Sequence, residues 1–491
     1  MSLLGLPSDI LIIVLENLDS LHDLSSVALT CQSLHALVED FGWAAYLRSH
    51  EHPSFSLSCA NSTWKPRTRL RYDTLADHAW STVEFLARPL SPPWQGKLQP
   101  SLAINTSRLV VGAGRLIYSY TFSHSEISSA PSVYFEGSCT VSDRRDRGRD
   151  ITSLAFVSDG GMDRTLIVGF ADGAVQRFVI EPYTTKNHSH IKVREQITND
   201  TFPYHGGDLI ESISSSGQHA LSLSSSGKAV VFDGSDNPSM SDGIHLQSRS
   251  WSSYLSMSSS TSYAAFGTSS ATPLAIHPLS ETGLSPLPSS LLAPSARHAV
   301  THSAKSLAVY GITTAPASAP WGVSEQIIVS GWYDGFVRVH DLRASTHIHD
   351  TDTHGPAPLP PVMSLHDPWS TQPIYCVSAG GGSSSYIAAG SARHSVVSFW
   401  DFRYPNDGWS VHAPGNDSSP VYSIVLESSR LFGATQSRAF VYDFGPSVTE
   451  HTYPSLPRPR YPDEALQLKK NSRGIDYYVT KYKHDRNAEV F

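Results

Sequence analysis

A strand, a tight turn and a second strand recur along most of this chain in one frame, and that recurrence constrains the fold more than any other feature. In IIVSGWYDGFVRVHDLR, Gly331 precedes Asp334-Gly335 and the second strand closes on His340-Asp341. GFADGAVQRFV repeats the frame with Gly169, Asp172-Gly173 and Phe178-Val179, and GATQSRAFVYD repeats it with Gly433, Ser437 and Tyr442-Asp443. AGSARHSVVSFWDFR is one residue longer, running from Gly390 to Trp400-Asp401. Fainter copies place Ser226-Gly227 before Phe232-Asp233, Gly267 before His277, and Gly114 before Tyr118 and Tyr120. Asp-Gly between alternating apolar residues is a strong hairpin signal, because the turn needs a positive φ that glycine adopts without steric cost.

Ahead of the frames lie apolar runs suited to innermost strands: SLAI near Ser101, ITSLAF from Ile151, LIESIS from Leu209, YLSMS from Tyr254, SLAVYG from Ser306, IYCVSA from Ile374 and VYSIVL from Val421. Four strands per unit, arranged radially, is the β-propeller plan, which leaves only short protected edges. The expected fold is therefore an all-β propeller over residues 96–446, with seven blades; a six- or eight-bladed ring and a pair of β-sandwiches stay open. Spacing is uneven, since Asp341 to Asp401 is longer than Asp401 to Asp443. The stretches Thr346–Pro361, Glu181–Thr201 and Ser280–Arg297 read as inserted loops.

Residues 1–50 have a different texture. Pro7 suits the first turn of a helix, and Ser8 or Asp9 can cap its free amides. Ile10, Leu11, Val14, Leu15 and Leu18 then recur at helical spacing, and a second run continues from Leu21 and Leu24 through Leu34 to Phe41 and Trp43. So short a segment cannot bury all of this alone, so part of the stripe is expected to meet a partner. Residues 51–95 read as a linker containing a short helix, Arg69–Trp80, and a strand within Thr82–Arg88 that closes the last blade. Residues 447–491 read as a polar tail, partly ordered, with a helix over Asp463–Lys470.

The order Leu6-Pro7, Asp9, Leu18-Asp19 and Trp43 resembles an F-box, and the terminal aromatic-Asp pairs, spelled Trp-Asp at Trp400-Asp401, resemble those of WD repeats. The chain departs from the F-box pattern at Thr30, where valine is usual, and at Leu34, where tryptophan is common. The resemblance to F-box and WD-repeat proteins implies a small all-α F-box followed by a propeller, acting as the substrate receptor of an SCF-type ubiquitin ligase. It implies that Leu6, Pro7, Ile10, Leu11, Val14, Leu15, Leu18 and Leu24 face either the Skp adaptor or the F-box core. Through that adaptor the chain would join a cullin-RING ligase, the propeller would hold a protein substrate, and transfer chemistry would belong to other subunits.

In WD propellers the turn between second and third strands lies on the face that commonly holds ligands. Here Arg393 with His394, Arg438 and Arg115 are expected to form a crescent suited to an acidic or phosphorylated peptide, since guanidinium forks pair phosphate oxygens well. One alternative is a receptor of cullin-4 type ligases, because WDFR (Trp400–Arg403) and HDLR (His340–Arg343) resemble the Asp-x-Arg boxes of such proteins. The other is a scaffold propeller whose N-terminal helices are a cap.

Enzyme chemistry is not expected. No HExxH, GxSxG, Walker-type or dinucleotide fingerprint occurs, and Gly112-Ala113-Gly114 and Gly380-Gly381-Gly382 lack the following helix that phosphate cradling needs. His347, His349, Asp350, Asp352 and His354 are dense enough to suggest a metal loop but read as a solvated insertion, so neither metal nor cofactor is expected. A net charge of −8 supplies no field for nucleic acid, and Arg144, Arg145, Arg147 and Arg149 are interleaved with aspartates. Cys31, Cys59, Cys139 and Cys376 lie too far apart for a zinc ribbon or disulfide scaffold. Ile10–Leu15 is too short to span a bilayer, no charged leader precedes it, and a cytoplasmic or nuclear location is expected.

Overall fold

The computed structural model describes residues 6–485 apart from 124–129, 142–148, 182–190, 192, 196–202, 236–239, 258–260, 296–306, 319–323, 345–357, 416–417, 447 and 457–475. Helices come first: α1 (Ser8–Glu16), α2 (Leu21–Ala28), α3 (Gln32–Leu37), a π turn over Val38–Gly42, α4 (Trp43–Ser49), α5 (Ser58–Thr63) and α6 (Pro66–Thr82). Pro7 stands at the N-cap of α1, one place earlier than expected, and no side chain caps that helix. Ser20 does cap α2, its Oγ accepting from the Asp23 N–H. Leu15, Leu24, Ala28, Val38, Trp43, Leu47 and Leu70 make one apolar cluster, so α6 is already part of the helical module.

Among the described residues after 85, the named elements are antiparallel strands apart from a 3-10 turn over Leu342–Ala344. Strand order gives units of four that meander outward from their first strand: in sheet 1, Ser101–Ile104, Arg108–Ala113, Leu116–Phe122 and Val133–Thr140. The first strands of sheets 2 to 7 are Ile151–Phe156, Ile210–Ser216, Ser250–Ser256, Leu307–Thr314, Ile374–Gly380 and Val421–Leu426. Sheets 4 and 5 are joined by a short pairing of Ser269 and Ser270 with Ala308 and Leu307. The loop expected over Ser280–Arg297 contains sheet 4's outer strand, Ser290–Leu292, paired with Leu274–Ile276. Lys481–Lys483 from the tail adds a fifth strand to sheet 6. The expected helix at 463–470 and the histidine-rich 347–354 stretch lie outside the described residues.

Each gap between consecutive sheets holds its own apolar cluster. Leu166, Val168 and Phe170 pack on Val110 and Ile117 between sheets 1 and 2, and Phe432 and Val441 pack on Leu109 and Val111 between sheets 7 and 1. The architecture is thus mostly β and propeller-like, with helices at one end of the sequence. Sheet 7 takes its fourth strand from the other side of the chain: Leu86–Pro89 pairs with Phe440–Asp443. The strand expected within Thr82–Arg88 is found over Leu86–Pro89, and α6 precedes it.

Trp80 at the C-terminal end of α6 stacks on Phe444 at 3.6 Å and Tyr386 at 4.5 Å, and its Nε1 donates to the Ser428 carbonyl at 2.8 Å. Gly381 (φ +70) and Gly382 (φ +51) sit against that indole: a Cβ on Gly381 would meet Tyr386 Cβ at 2.9 Å and the ring at 3.1 Å. The glycine run makes room for a tryptophan and not for a phosphate.

Candidate functional site

Two surfaces qualify, and they sit at opposite ends of the first strands. The first is the helical module. Leu11 and Leu15 on α1 and Leu24 on α2 are buried, Leu6 and Leu18 are half-buried, and Pro7 is exposed. Ile10, Ile13 and Val14 are 44%, 54% and 43% exposed, which makes an apolar ridge on the outer side of α1. The eight residues singled out in the sequence thus divide between the module's own core and its surface.

The module is plugged into one turn of sheet 7, residues 427–430. Glu427 accepts from the backbone N–H groups of Phe55 (2.7 Å) and Ser56 (3.0 Å) and from the Ser56 hydroxyl. Ser428 N–H donates to the Pro53 carbonyl at 3.2 Å, and Ser429 Oγ lies 2.9 Å from the Tyr72 hydroxyl. Arg430 is fully buried, with its Nε 3.3 Å from Asp443 Oδ2 and its Nη2 donating to the Pro131 carbonyl at 2.7 Å. Burial holds the Glu427 carboxyl above its usual range, with the Ser56 hydroxyl and N–H, Arg430 and the Phe55 N–H pulling back. This turn follows the end of a first strand; the second surface lies where first strands begin.

There, sheets 2 to 7 share an irregularity. The register of each first strand on its neighbour slips by one residue, and the residues passed over are Thr152, Glu211, Trp251, Tyr310, Tyr375 and Tyr422. A β-bulge re-aims a side chain, and here all six line one cavity of about 520 Å³ where the first strands begin. Four of them are contiguous: Trp251 to Tyr310 at 4.9 Å, Tyr310 to Tyr375 at 5.2 Å, and Tyr375 to Tyr422 at 5.8 Å between ring centroids. The charged lining residues are Glu211 and Arg249, paired at 3.0 Å, with the guanidinium 4.0 Å over the Trp251 ring. Burial raises the Glu211 carboxyl against the pull of Arg249.

The residue after each bulge is small, and all but Gly311 tie neighbouring sheets together through their side chains. Ser153 Oγ accepts from Ile213 N–H (2.8 Å), Ser212 Oγ from Ser253 N–H (3.1 Å), and Ser423 Oγ from Leu102 N–H (3.2 Å). Ser252 donates to the Val309 carbonyl at 3.3 Å and the Cys376 thiol to the Val421 carbonyl at 3.4 Å. The Ser423 bond joins sheet 7 to sheet 1. This cavity was not singled out in the sequence. Its signal is present, however: ITS, IES, SWS, VYG, IYC and VYS align as apolar or small, then large or polar, then small.

The residues of the expected arginine crescent differ in their surroundings. Arg393 and His394 are exposed in the turn between the second and third strands of sheet 6. Arg438 occupies the matching turn of sheet 7 but is buried, so it departs from the solvent-facing role expected of it. Arg115 lies 3.7 Å from Asp150. The Asp-x-Arg boxes close on themselves: Arg343 forks onto Asp341 at 2.9 and 2.8 Å, and Arg403 onto Asp401 at 3.0 and 2.7 Å. Arg149 pairs with Asp172 at 3.5 Å; Arg144, Arg145 and Arg147 lie outside the described residues. Among the described residues no three His, Cys, Asp or Glu side chains group to hold a metal, and no helix is long and apolar enough to cross a membrane.

Neither a family model nor a curated protein matches the chain. Among solved structures it is similar to Chaetomium thermophilum Sqt1 bound to the N-terminus of ribosomal protein L10, at 14% identity and TM-score 0.46 over 70% of this chain and 83% of that one. It is also similar to the computationally designed Ika8 protein, at 16% identity and TM-score 0.42 over 72% and 99% of the two chains.

Proposed function

We propose that this chain is the substrate-recognition subunit of an SCF-type ubiquitin ligase: an F-box over residues 1–50 that docks the Skp adaptor, and a closed seven-bladed WD-repeat-like propeller that holds a protein substrate. It has no active site of its own. Its contribution is to bring substrate and ligase together, which raises effective concentration. The cytoplasm, the nucleus or both are the compartments this reading fits.

One observation carries the reading. α1 packs Leu11 and Leu15 inward and still presents Ile10, Ile13 and Val14 to solvent, so a short helix already anchored in its own module has a second apolar face left over. Contiguous exposed apolar residues of this kind mark a protein contact. The test is capture of the Skp adaptor by the purified full chain. Wild type should retain the adaptor, and Ile10→Asp with Val14→Asp should lose it while the thermal melt is unchanged. Leu6→Ala with Pro7→Ala should lower capture as well. Undiminished capture by the double aspartate variant overturns the proposal.

A further inference from the structure

We propose that the aromatic cavity binds an extended proline-rich peptide along the wall formed by Trp251, Tyr310, Tyr375 and Tyr422. This deepens the reading above, because it rests on the propeller being the half that grips a protein, and it names the class of segment gripped.

Ring geometry supports it first. The four rings follow one another in series, at interplanar angles of 71°, 68° and 29°, so they give the cavity one continuous aromatic wall. A wall several rings long suits a segment of chain better than a single side chain. Polyproline II advances about 3.1 Å per residue and repeats every three residues, roughly 9 Å. Ring steps of 4.9 to 5.8 Å are longer than one residue of that helix, and two steps reach about one repeat.

Charge comes second. Glu211 and Arg249 are the charged residues lining the cavity, and they neutralise each other. Phosphate would find no uncommitted cation in this lining, and a lysine-rich peptide no uncommitted carboxylate. An uncharged segment loses nothing there.

Hydrogen bonding comes third. Proline offers carbonyl acceptors and no N–H, so its complement must donate. Tyr310 and Tyr375 line the cavity half-buried and each carries a hydroxyl able to donate, whereas Ser153, Ser212 and Ser423 have their oxygens turned to the neighbouring first strands as acceptors. Docking of preformed polyproline II on aromatic walls also costs little chain entropy.

The experiment is fluorescence anisotropy with the full chain and two labelled probes, decaproline and a threefold Pro-Ser-Leu-Pro repeat. The controls are the repeat with glycine for proline and the repeat with phosphoserine for serine. Both proline probes should bind saturably and the glycine version should bind at least about tenfold more weakly. Tyr375→Ala with Tyr422→Ala should weaken binding about tenfold, as loss of central aromatic anchors does. Tyr375→Phe with Tyr422→Phe, which keeps the rings, should stay within about threefold of wild type, so a fold defect in the alanine pair does not decide the matter. Absence of saturable binding, binding equal in the alanine pair, or preference for the phosphorylated repeat with loss on Arg393→Glu overturns the proposal. Ile10→Asp with Val14→Asp should leave peptide affinity unchanged. Peptide binding without adaptor capture would therefore sink the ligase reading alone, and adaptor capture without peptide binding would sink the peptide site alone.

Discussion

Arg430 carries a full charge at a place that water does not reach. Its exposed fraction is nil, and Asp443, at 3.3 Å, is equally buried and also accepts from the Tyr453 hydroxyl and the Gly445 N–H. Burial works against the guanidinium charge, while Tyr453, Asp443, Tyr72 and Glu427 hold its pKa above the usual value. Buried pairs of this kind add little net stability over an apolar replacement, but removing one partner leaves the other charge stranded. Arg430→Met should therefore lower stability by about 3–5 kcal/mol, read as the midpoint of urea unfolding. Arg430→Met combined with Asp443→Asn, which keeps the acceptor for Tyr453 without the charge, should recover part of that loss. A double variant no more stable than the single one would mean that the guanidinium acts by packing and by its bond to Pro131, and not by neutralising Asp443.

Among the elements, α6 shows its existence but not its role in the sequence: Arg69–Trp80 reads as a short helix, and the structure extends it to Pro66–Thr82. Its sequence, PRTRLRYDTLADHAWST, has no single apolar stripe, because Leu70 belongs to the helical cluster while Trp80 belongs to the gap between sheets 6 and 7. Periodicity finds helices that serve one core; a strut serving two cores shows only its ends. The first strands are legible as apolar runs but their bulges are not, since a one-residue slip is invisible to a frame counted from turn to turn. The Asp-Gly turns were legible because Gly173 and Gly335 have to adopt φ near +83 and +84, and the sequence spells that requirement. α6 also carries a titrating junction. Burial pushes the Asp73 carboxyl up to about 6 despite His52 and Arg69 beside it. For His52, burial opposes the charge, and the hydrogen bond to Asp77 with the nearby carboxylates outweighs it, so its pKa is raised. Both groups bind protons more tightly folded than unfolded, so the contribution of Asp73 is fully present below the unfolded carboxyl value of 3.8 and that of His52 below 6.5, and each is lost as pH rises through the folded value. Asp73→Asn copies the protonated carboxyl. It should melt with wild type near pH 3 and about 2 °C above it near pH 8. A variant that melts below wild type near pH 8 would show that the ionised form is the favoured one.

On the scale of the molecule, the helical module and the propeller are joined through shared structure and not by a tether. The Leu86–Pro89 strand covers the outer edge of sheet 7, Trp80 and Phe85 fill the gap between sheets 6 and 7, and Glu427 takes the Phe55 and Ser56 amides. A boundary drawn at residue 95 by composition therefore cuts through the last sheet. Removing residues 1–50 deletes α1 to α4 and the outward ridge but leaves α6, its tryptophan and the covering strand in place. Removing residues 1–90 opens the edge of Ala439–Asp443 and empties the site of a fully buried tryptophan, a loss of about 3–5 kcal/mol before the strand is counted. The chain from residue 51 should keep a cooperative melt and the peptide affinity of the full chain, and should lose adaptor capture. The chain from residue 91 should melt at much lower temperature or aggregate through its bared strand. The two positions explain why the first truncation separates the activities: the ridge belongs to the module seated at the ends of the first strands, and the aromatic cavity lies where those strands begin. Equal melting of the two truncations would mean that the propeller holds together without the strand and the strut. The rigid link between ridge and aromatic cavity would then have no basis.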